Sequence, residues 1–182
     1  YNPPVKPENH QVSRAVDAIL NAERPVIYAG GGTISSNASD ELRELNELLD
    51  FPVTNTLMGL GVYPGTGKRF LGMLGMHGTY QANMAMHNAD LIIAVGARFD
   101  DRITNDPKQF ALSAKKIHID VDPASVSKII HADIPIVGSA KESLTALIEE
   151  LKCRDLKTNE SDISEWNEQI NNWRDAHGLN HS

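Results

Sequence analysis

The sequence predicts a doubly wound α/β domain built on a six-stranded parallel sheet. Short apolar runs alternate with segments of helical period along the chain. The runs are continuously apolar, which is typical of parallel strands buried on both faces. The clearest run, at 91–95, ends at Gly96 and is followed by residues 98–102, four of which are charged. Because ligands of open α/β sheets bind at the carboxyl ends of the strands, this edge is the predicted binding edge.

The bulk composition limits the classes of partner. The chain has 182 residues, 41% hydrophobic and 23% charged, which suits one soluble α/β domain. A net charge of −7 without a basic run argues against nucleic acid as a partner. No apolar run approaches the ~20 residues of a membrane span. Cys153 is the only cysteine, which excludes internal disulfides and multi-cysteine zinc sites and fits a reducing cytoplasm.

The first unit of the chain has the order strand, glycine loop, helix. We expect a linker at 1–8, an amphipathic helix at 9–23 with Asn9 as N-cap, and a strand at 25–29. Gly30, Gly31 and Gly32 follow, and a leucine-bearing helix comes next. Glycines let a backbone approach phosphate, and a helix N-terminus favours negative charge, so a nucleotide site is one interpretation.

A standard NAD site does not fit this loop. The third position of the dinucleotide fingerprint is Ser35, and the second strand, near 52–56, does not end in the acid that binds the NAD ribose. A glycine turn without a ligand stays open as an alternative. Past a glycine-rich loop, residues 71–78 mix glycine, leucine and methionine, which suits either close contact with a planar ring or a methionine-lined core turn.

The second half of the chain adds three predicted elements after the helix at 79–88 and the strand at 91–95. A strand at 115–122 ends in Asp120 and Asp122, which suit either a ribose contact or a turn cap. A strand at 133–138 precedes a helix whose capping box is Ser139 with Glu142. A polar linker then leads to an amphipathic tail helix with two tryptophans, which needs a partner on this domain or on a further one.

Four separate signals converge on one edge of the predicted sheet. They are the Gly30 loop, the Leu74 segment, the Gly96–Arg98 turn and Asp120. Because parallel strands end on the same edge, these segments could share one ligand. An extended ligand with phosphates in the middle and a ring at one end fits this order.

Five segments carry a resemblance to a known family. They are 28–32, 57–61, 71–78 (LGMLGMHG), 96–102 (GARFDDR) and 118–122. Together they resemble the central domain of the large catalytic subunit of acetohydroxyacid synthases, also called acetolactate synthases. The resemblance covers nearly the whole chain through Lys152. The two longest motifs, at 71–78 and 96–102, are highly specific in combination.

The resemblance implies a Rossmann-like FAD/NAD-binding domain of a thiamine-diphosphate enzyme. It implies an FAD-binding domain at 9–152, and at 153–182 a linker and helix leading to a C-terminal domain. The family condenses pyruvate with a second 2-oxoacid, with loss of carbon dioxide, in branched-chain amino acid biosynthesis. Thiamine diphosphate and magnesium lie between other domains and supply the carbanion chemistry, whereas FAD undergoes no net redox reaction.

The resemblance also implies the partners and limits of the chain. Expected partners are the flanking domains of the same subunit, in a homodimer or tetramer with a regulatory small subunit. The family's activating glutamate and its Gly-Asp-Gly metal motif are not in this sequence. We therefore expect no catalytic residue and no metal ligand in this chain, and no activity from the chain alone.

The cofactor contacts that the resemblance implies follow the five segments. For FAD they are Gly30, Gly31, Gly32, Thr56, Leu57, Leu74, Gly75, Met76, His77, Gly96, Ala97, Arg98, Asp100, Arg102, Ile103, Asp120 and Val121. Asp101 and Arg102 are expected at the border of the substrate channel.

There are three alternatives to the synthase interpretation. A pyruvate oxidase of the same architecture would use its flavin for redox chemistry, but the pair Asp100-Asp101 before Arg102 favours the synthase. A scaffold domain with an empty flavin site is the non-enzymatic alternative. A sirtuin-like NAD enzyme is disfavoured because a single cysteine cannot build its usual zinc site.

Overall fold

The computed structural model describes residues 6–99, 111, 113–154 and 160–177. The strands are β1 (Pro25–Ala29), β2 (Val53–Asn55), β3 (Phe70–Met73), β4 (Leu91–Val95), β5 (Lys115–Asp120) and β6 (Ile134–Val137). The helices are α1 (Asn9–Leu20), α2 (Gly31–Ser35), α3 (Ser39–Leu49), α4 (Tyr80–Asn88), α5 (Ala140–Cys153) and α6 (Glu160–His177). A 3-10 turn covers Leu57–Gly59.

The six strands form one sheet in the order β3-β2-β1-β4-β5-β6, and every neighbouring pair is parallel. The predicted six-stranded, doubly wound parallel sheet is therefore confirmed. The chain winds outward from β1 to β3, returns to β4 beside β1, and winds to β6. The β1–β4 pair is the point where the strand order reverses, and crevices at such points bind ligands in this class of fold.

Two apolar clusters cover the two faces of the sheet. On one face, α1, α3 and α5 pack against the side chains of the β1 residues Ile27 and Ala29 and their neighbours. On the other face, α4 and α6 pack against Val26 and Tyr28 and their neighbours. The central strands β1 and β4 therefore bury alternate residues against opposite helix layers, which is why their sequences are continuously apolar.

Several predicted helix ends are corrected. Asn9 is the first residue of α1 rather than its N-cap; Glu8 holds that position, and its side chain makes no capping hydrogen bond. The helix ends at Leu20 and not at residue 23. The predicted helix after the glycine loop is two helices, separated near Asn37, which adopts a left-handed conformation with φ of 53°.

Two capping predictions can be compared with hydrogen bonds. Ser139 caps α5, because its Oγ accepts a hydrogen bond from the backbone N–H of Glu142 at 3.2 Å. Thr79, predicted as the start of a helix, caps α4 in the same way through the N–H of Ala82.

The tail helix α6 packs back on this domain. Trp166 is 4% exposed, and its Nε1–H donates to the carbonyl oxygen of Pro25 at 3.0 Å. Trp173 meets the Trp166 ring edge-on at 5.7 Å. The side chains of Asn167 and Arg174 donate to the carbonyl oxygens of Asp50 and Phe70. Trp166, Asn167 and Arg174 therefore lie near the amino ends of β1, β2 and β3, whereas the last residue of the helix, His177, contacts Tyr80 at the start of α4, with 4.0 Å between the ring centroids. None of the helices that the model describes is both long enough and apolar enough for a membrane span.

Candidate functional site

A continuous row of backbone hydrogen bonds links the carboxyl ends of all six strands. Leu74 donates to Asn55, Thr56 donates to Ala29, Gly30 donates to Val95, Gly96 donates to Ile119, and Gly138 donates to Asp120, at 2.9 to 3.3 Å. The predicted segments around Leu74, Thr56, Gly30, Gly96 and Asp120 thus stand side by side along one edge. With strands about 4.8 Å apart, the row from β3 to β5 is roughly 19 Å long.

The glycine loop packs directly against the Gly96 turn. A Cβ added to Gly30 would lie 2.3 Å from the Gly96 oxygen and 2.6 Å from the Ala97 Cα. A Cβ on Gly32 would lie 2.7 Å from the Gly96 Cα, and Gly96 itself has a φ of +54°. Only glycine allows two backbones to approach this closely, so these glycines serve the contact between β1 and β4.

The same contact uses two of the three backbone amides in the glycine loop. The N–H of Gly30 donates to the Val95 oxygen, and the N–H of Gly32 donates to the Gly96 oxygen, both at 2.9 Å. The Gly31 N–H has no partner among the described residues. Of the three amides in the glycine loop, only that of Gly31 is therefore available to a phosphate.

The 3-10 turn beside the glycine loop presents apolar side chains to solvent. Leu57 is 67% exposed and Met58 is 74% exposed. Two hydrogen bonds hold the turn in place. In the first, the Thr56 hydroxyl accepts from the Gly59 N–H at 2.9 Å. The Nδ2 of Asn55, which is fully buried, donates to the Gly59 oxygen at 3.0 Å. A rigid base thus holds an exposed apolar surface at the end of β2.

The turn after β3 separates Leu74 from Met76 and His77. The Leu74 side chain is 6% exposed and belongs to the core, so only its backbone could face a ligand. The side chain of Asn83 bonds both the N–H and the oxygen of Gly75 at 3.1 Å. Met76 beyond it is 82% exposed, and His77 is exposed as well. The turn thus buries Leu74 in the core and leaves Met76 and His77 exposed at the sheet edge.

The Gly96 turn leaves Arg98 exposed between two buried residues. Ala97 is 1% exposed and Phe99 is 4% exposed. Arg98 makes no ion pair with any residue that the model describes. Its guanidinium therefore keeps its donors available at the point where the strand order reverses, which is what an anionic ligand requires.

His118 lies beneath this turn, in the middle of β5. It is 1% exposed, its Nε2 lies 3.0 Å from the Ala97 oxygen, and its ring meets Phe99 edge-on at 5.3 Å. Burial lowers the pKa of His118 below its usual 6.5, against the smaller raising effects of Asp120 and of the bond to Ala97. The imidazole is therefore neutral at pH 7. The sequence included His118 in a motif but assigned it no role.

Asp120 and Val121 end the row at β5. The Asp120 Oδ1 accepts from the Asp122 N–H at 2.9 Å, which is the turn-cap role. Its second oxygen has no partner among the described residues, so a ribose contact remains compatible with the cap. Val121 is 40% exposed beside it.

A cavity of about 200 Å³ opens beside Arg98. Phe99 and His118 line it together with Ser125, Lys128, Ile129 and Ile130. The sequence did not single out Ser125 or Lys128, because they lie in a segment without motif or period. The predicted contacts Asp100, Asp101, Arg102 and Ile103 lie outside the described residues.

Comparison with known protein families agrees with this geometry. The family model described as "Thiamine pyrophosphate enzyme, central domain" matches residues 12–147. The chain belongs to the thiamine pyrophosphate enzyme central domain family. The match covers β1 to β6 and α2 to α4 in full and parts of α1 and α5, so the candidate edge is part of the family's shared fold.

Curated members of this family are close in sequence. The acetolactate synthase large subunit of Buchnera aphidicola from Schizaphis graminum is 47% identical over 182 residues, which is 100% of this chain and 31% of the relative. Escherichia coli acetolactate synthase isozyme 3 large subunit is 47% identical over 96% of the chain and 30% of the relative. The Corynebacterium glutamicum large subunit is 46% identical over 91% and 26%. The chain thus spans about a third of the length of the curated relatives it matches.

Proposed function

We propose that this chain is the FAD-binding central domain of an acetolactate synthase large subunit. The row of strand ends is the observation that carries the proposal, because it holds the family-like segments side by side along roughly 19 Å of one sheet edge. An extended dinucleotide needs such a length. The names of the relatives support the synthase rather than another thiamine enzyme.

The residues along the edge fit the parts of FAD in order. The exposed Leu57 and Met76 offer apolar surface to a flavin ring near β2 and β3. The Gly31 amide and the Arg98 guanidinium at the β1–β4 reversal suit the pyrophosphate. The second carboxylate oxygen of Asp120 suits a ribose hydroxyl at β5. The predicted contacts Asp100, Arg102 and Ile103, which lie outside the described residues, belong to the same proposal, as does Asp101 with Arg102 at the substrate channel.

The wider function of the protein is part of this proposal. In the full-length synthase, thiamine diphosphate and magnesium would supply the condensation of pyruvate with a second 2-oxoacid and the loss of carbon dioxide. This chain would orient FAD and contact the flanking domains of its own subunit, in a homodimer or tetramer with a small subunit. We place the protein in the cytoplasm and expect the chain alone to be inactive.

Titration of FAD into the chain, followed by flavin fluorescence, tests the proposal. We expect saturable but weak binding, because apolar flavin area that other domains would cover contributes about 25 cal/mol per Å² when buried. Arg98→Ala should weaken binding about 10- to 150-fold, since a hydrogen bond to a charged group contributes roughly 1.5–3 kcal/mol. The thermal midpoint should not change, because Arg98 is exposed and has no ion pair with a described residue.

Arg43→Ala is the matched control, because Arg43 is an exposed arginine on α3 whose ion pair is with Asp40. It should leave FAD affinity unchanged. Absence of saturable FAD binding by the chain, even at millimolar FAD, would contradict the proposed function. An affinity change below about twofold in folded Arg98→Ala would rule out the phosphate role of Arg98 but would not contradict FAD binding by the domain.

A chimaera tests the link to the synthase. This chain would replace the matching 30% of the Escherichia coli isozyme 3 subunit. We expect the purified chimaera to retain FAD and to form acetolactate from pyruvate, whereas the chain alone forms none. A folded chimaera that takes up no FAD would argue for the scaffold interpretation.

A further inference from the structure

The Arg98 turn is anchored on both sides by one buried side chain. His118 contacts the residue before Arg98 through the Ala97 oxygen, 3.0 Å from Nε2. It contacts the residue after Arg98 through the Phe99 ring, at 5.3 Å and an interplanar angle of 80°. Arg98 itself makes no ion pair with a described residue, so its neighbours fix its place.

The sheet leaves room for this arrangement at Ala94. Tyr28, Ala94 and His118 are register partners on β1, β4 and β5 and face the same side. The Phe99 ring lies 5.8 Å from the Tyr28 ring and 5.3 Å from the His118 ring. A small residue between two rings therefore accommodates the Phe99 ring, and the chain can fold back over β4 directly after Gly96.

The hydrogen bond also fixes the tautomer of His118. A carbonyl oxygen only accepts, so Nε2 must carry the proton. The ring is neutral, and Nδ1 is then a bare acceptor. It is buried and has no hydrogen-bond partner among the described residues. The side chain thus directs its single donor at the Ala97 carbonyl and at no other described group.

We propose that His118 is the positioning residue for Arg98, and that its Nε2–H bond to Ala97 together with its contact to Phe99 holds the guanidinium ready for an anionic ligand. This inference rests on the proposed function, because the ligand in question is the FAD pyrophosphate. His118 does not touch the ligand; it acts through the backbone on either side of Arg98.

Three variants separate positioning from general stability. His118→Leu keeps a similar volume but removes the donor. His118→Gln retains an N–H donor at a reach close to that of Nε2. Ile117→Val is the control, because Ile117 is fully buried on the same strand but faces the other helix layer. We expect His118→Leu to raise the FAD dissociation constant about tenfold, His118→Gln to stay within about threefold of the wild type, and Ile117→Val to leave it unchanged.

Amide hydrogen exchange gives a readout without FAD. The Gly32 N–H donates to Gly96 and the Gly96 N–H donates to Ile119, so both amides report on the turn. In His118→Leu they should exchange faster relative to the amides of Ile92 and Ile93 in the same sheet, and His118→Gln should restore them. A merely structural role would accelerate all four amides together.

Nitrogen NMR of the wild-type imidazole gives a test that needs no variant to fold. The expected result is an Nε2-protonated neutral ring whose N–H exchanges slowly. An Nδ1-protonated ring, or an equal acceleration of exchange at the Gly32 and Ile92 amides in His118→Leu relative to the wild type, would overturn the positioning role. Failure of the wild-type chain to bind FAD would instead overturn the proposed function, and the exchange and NMR results would still decide the role of His118.

Discussion

Substituting the glycines of the β1 loop one at a time should separate packing from ligand binding. Gly30 has φ −118° and ψ −176°, which alanine also adopts, so Gly30→Ala carries no backbone strain of its own. Its cost is steric: the new Cβ would lie 2.3 Å from the Gly96 oxygen and 2.6 Å from the Ala97 Cα. Those are backbone atoms, so β1 and β4 must move apart by about an ångström.

Such overpacking costs about 1–3 kcal/mol, and the upper part of that range applies here because no flexible side chain can yield. For a domain of this size a loss of 2–3 kcal/mol lowers the thermal midpoint by roughly 4–12 °C. The matched control is Gly31→Ala, whose Cβ would lie 3.2 Å from the Cβ and 3.3 Å from the backbone oxygen of Met58, so that the Leu57–Gly59 turn need move by only a few tenths of an ångström. Alanine is also a better helix former by about 1 kcal/mol, so we expect Gly31→Ala to be neutral.

Thermal and urea unfolding of the two variants, without FAD, measure the difference. The urea slope should be equal in both, so that midpoints compare stability directly. If Gly30→Ala unfolds within about 0.5 kcal/mol of the wild type, or if both variants lose the same stability, the packing argument is wrong. The glycines would then be required by a ligand alone.

The remaining predictions concern the tail helix and the buried histidine. Trp166→Ala should lower the free energy of unfolding by about 3–5 kcal/mol, because the indole is buried and bonded to Pro25, whereas Trp166→Phe should cost much less. Limited proteolysis that cuts α6 equally fast in both variants and in the wild type would contradict this. The pKa of His118 is lowered in the fold, so below pH 6.5 the unfolded chain binds a proton that the folded chain excludes. The free energy of unfolding should therefore fall as the pH drops from 6.5 towards the folded pKa, and His118→Gln should flatten that part of the profile; an unchanged slope would exclude His118 as its source.

Apolar patterning predicted the parallel sheet and located all of its strands except β3, whose residues Phe70–Met73 overlap the segment interpreted as a ring contact or a core turn. Strands such as 25–29 and 91–95 are apolar at every position because each face carries a helix layer. The helix ends were less predictable. The N-cap of α1 is Glu8 and not Asn9, and the Glu8 side chain makes no capping hydrogen bond. Tertiary packing therefore sets the start of this helix, and local capping does not. The break near Asn37 depends on a left-handed residue that no pattern indicated.

The sequence predicted which segments lie along the candidate edge but not which residues contact one another there. The fingerprint fails at Ser35, which is the exposed last residue of the five-residue helix α2. The close approach that glycine permits occurs instead at Gly32, against Gly96, which is 64 positions away in sequence. Contacts of that separation leave no local signal. The same holds for the bond from His118 to Ala97 and for Ser125 and Lys128 at the cavity.

The way in which α6 packs on the domain has a consequence for folding of the chain during its synthesis on the ribosome. Its hydrogen bonds join Trp166 to Pro25, Asn167 to Asp50 and Arg174 to Phe70, over 141, 117 and 104 positions. At about 5–20 residues per second, roughly 7–28 s separate the synthesis of Pro25 in β1 from that of Trp166, which binds it. During that interval the nascent chain exposes the apolar α4 side of the sheet. Chaperone binding to the ribosome-bound chain should therefore end only after Trp166 has left the exit tunnel.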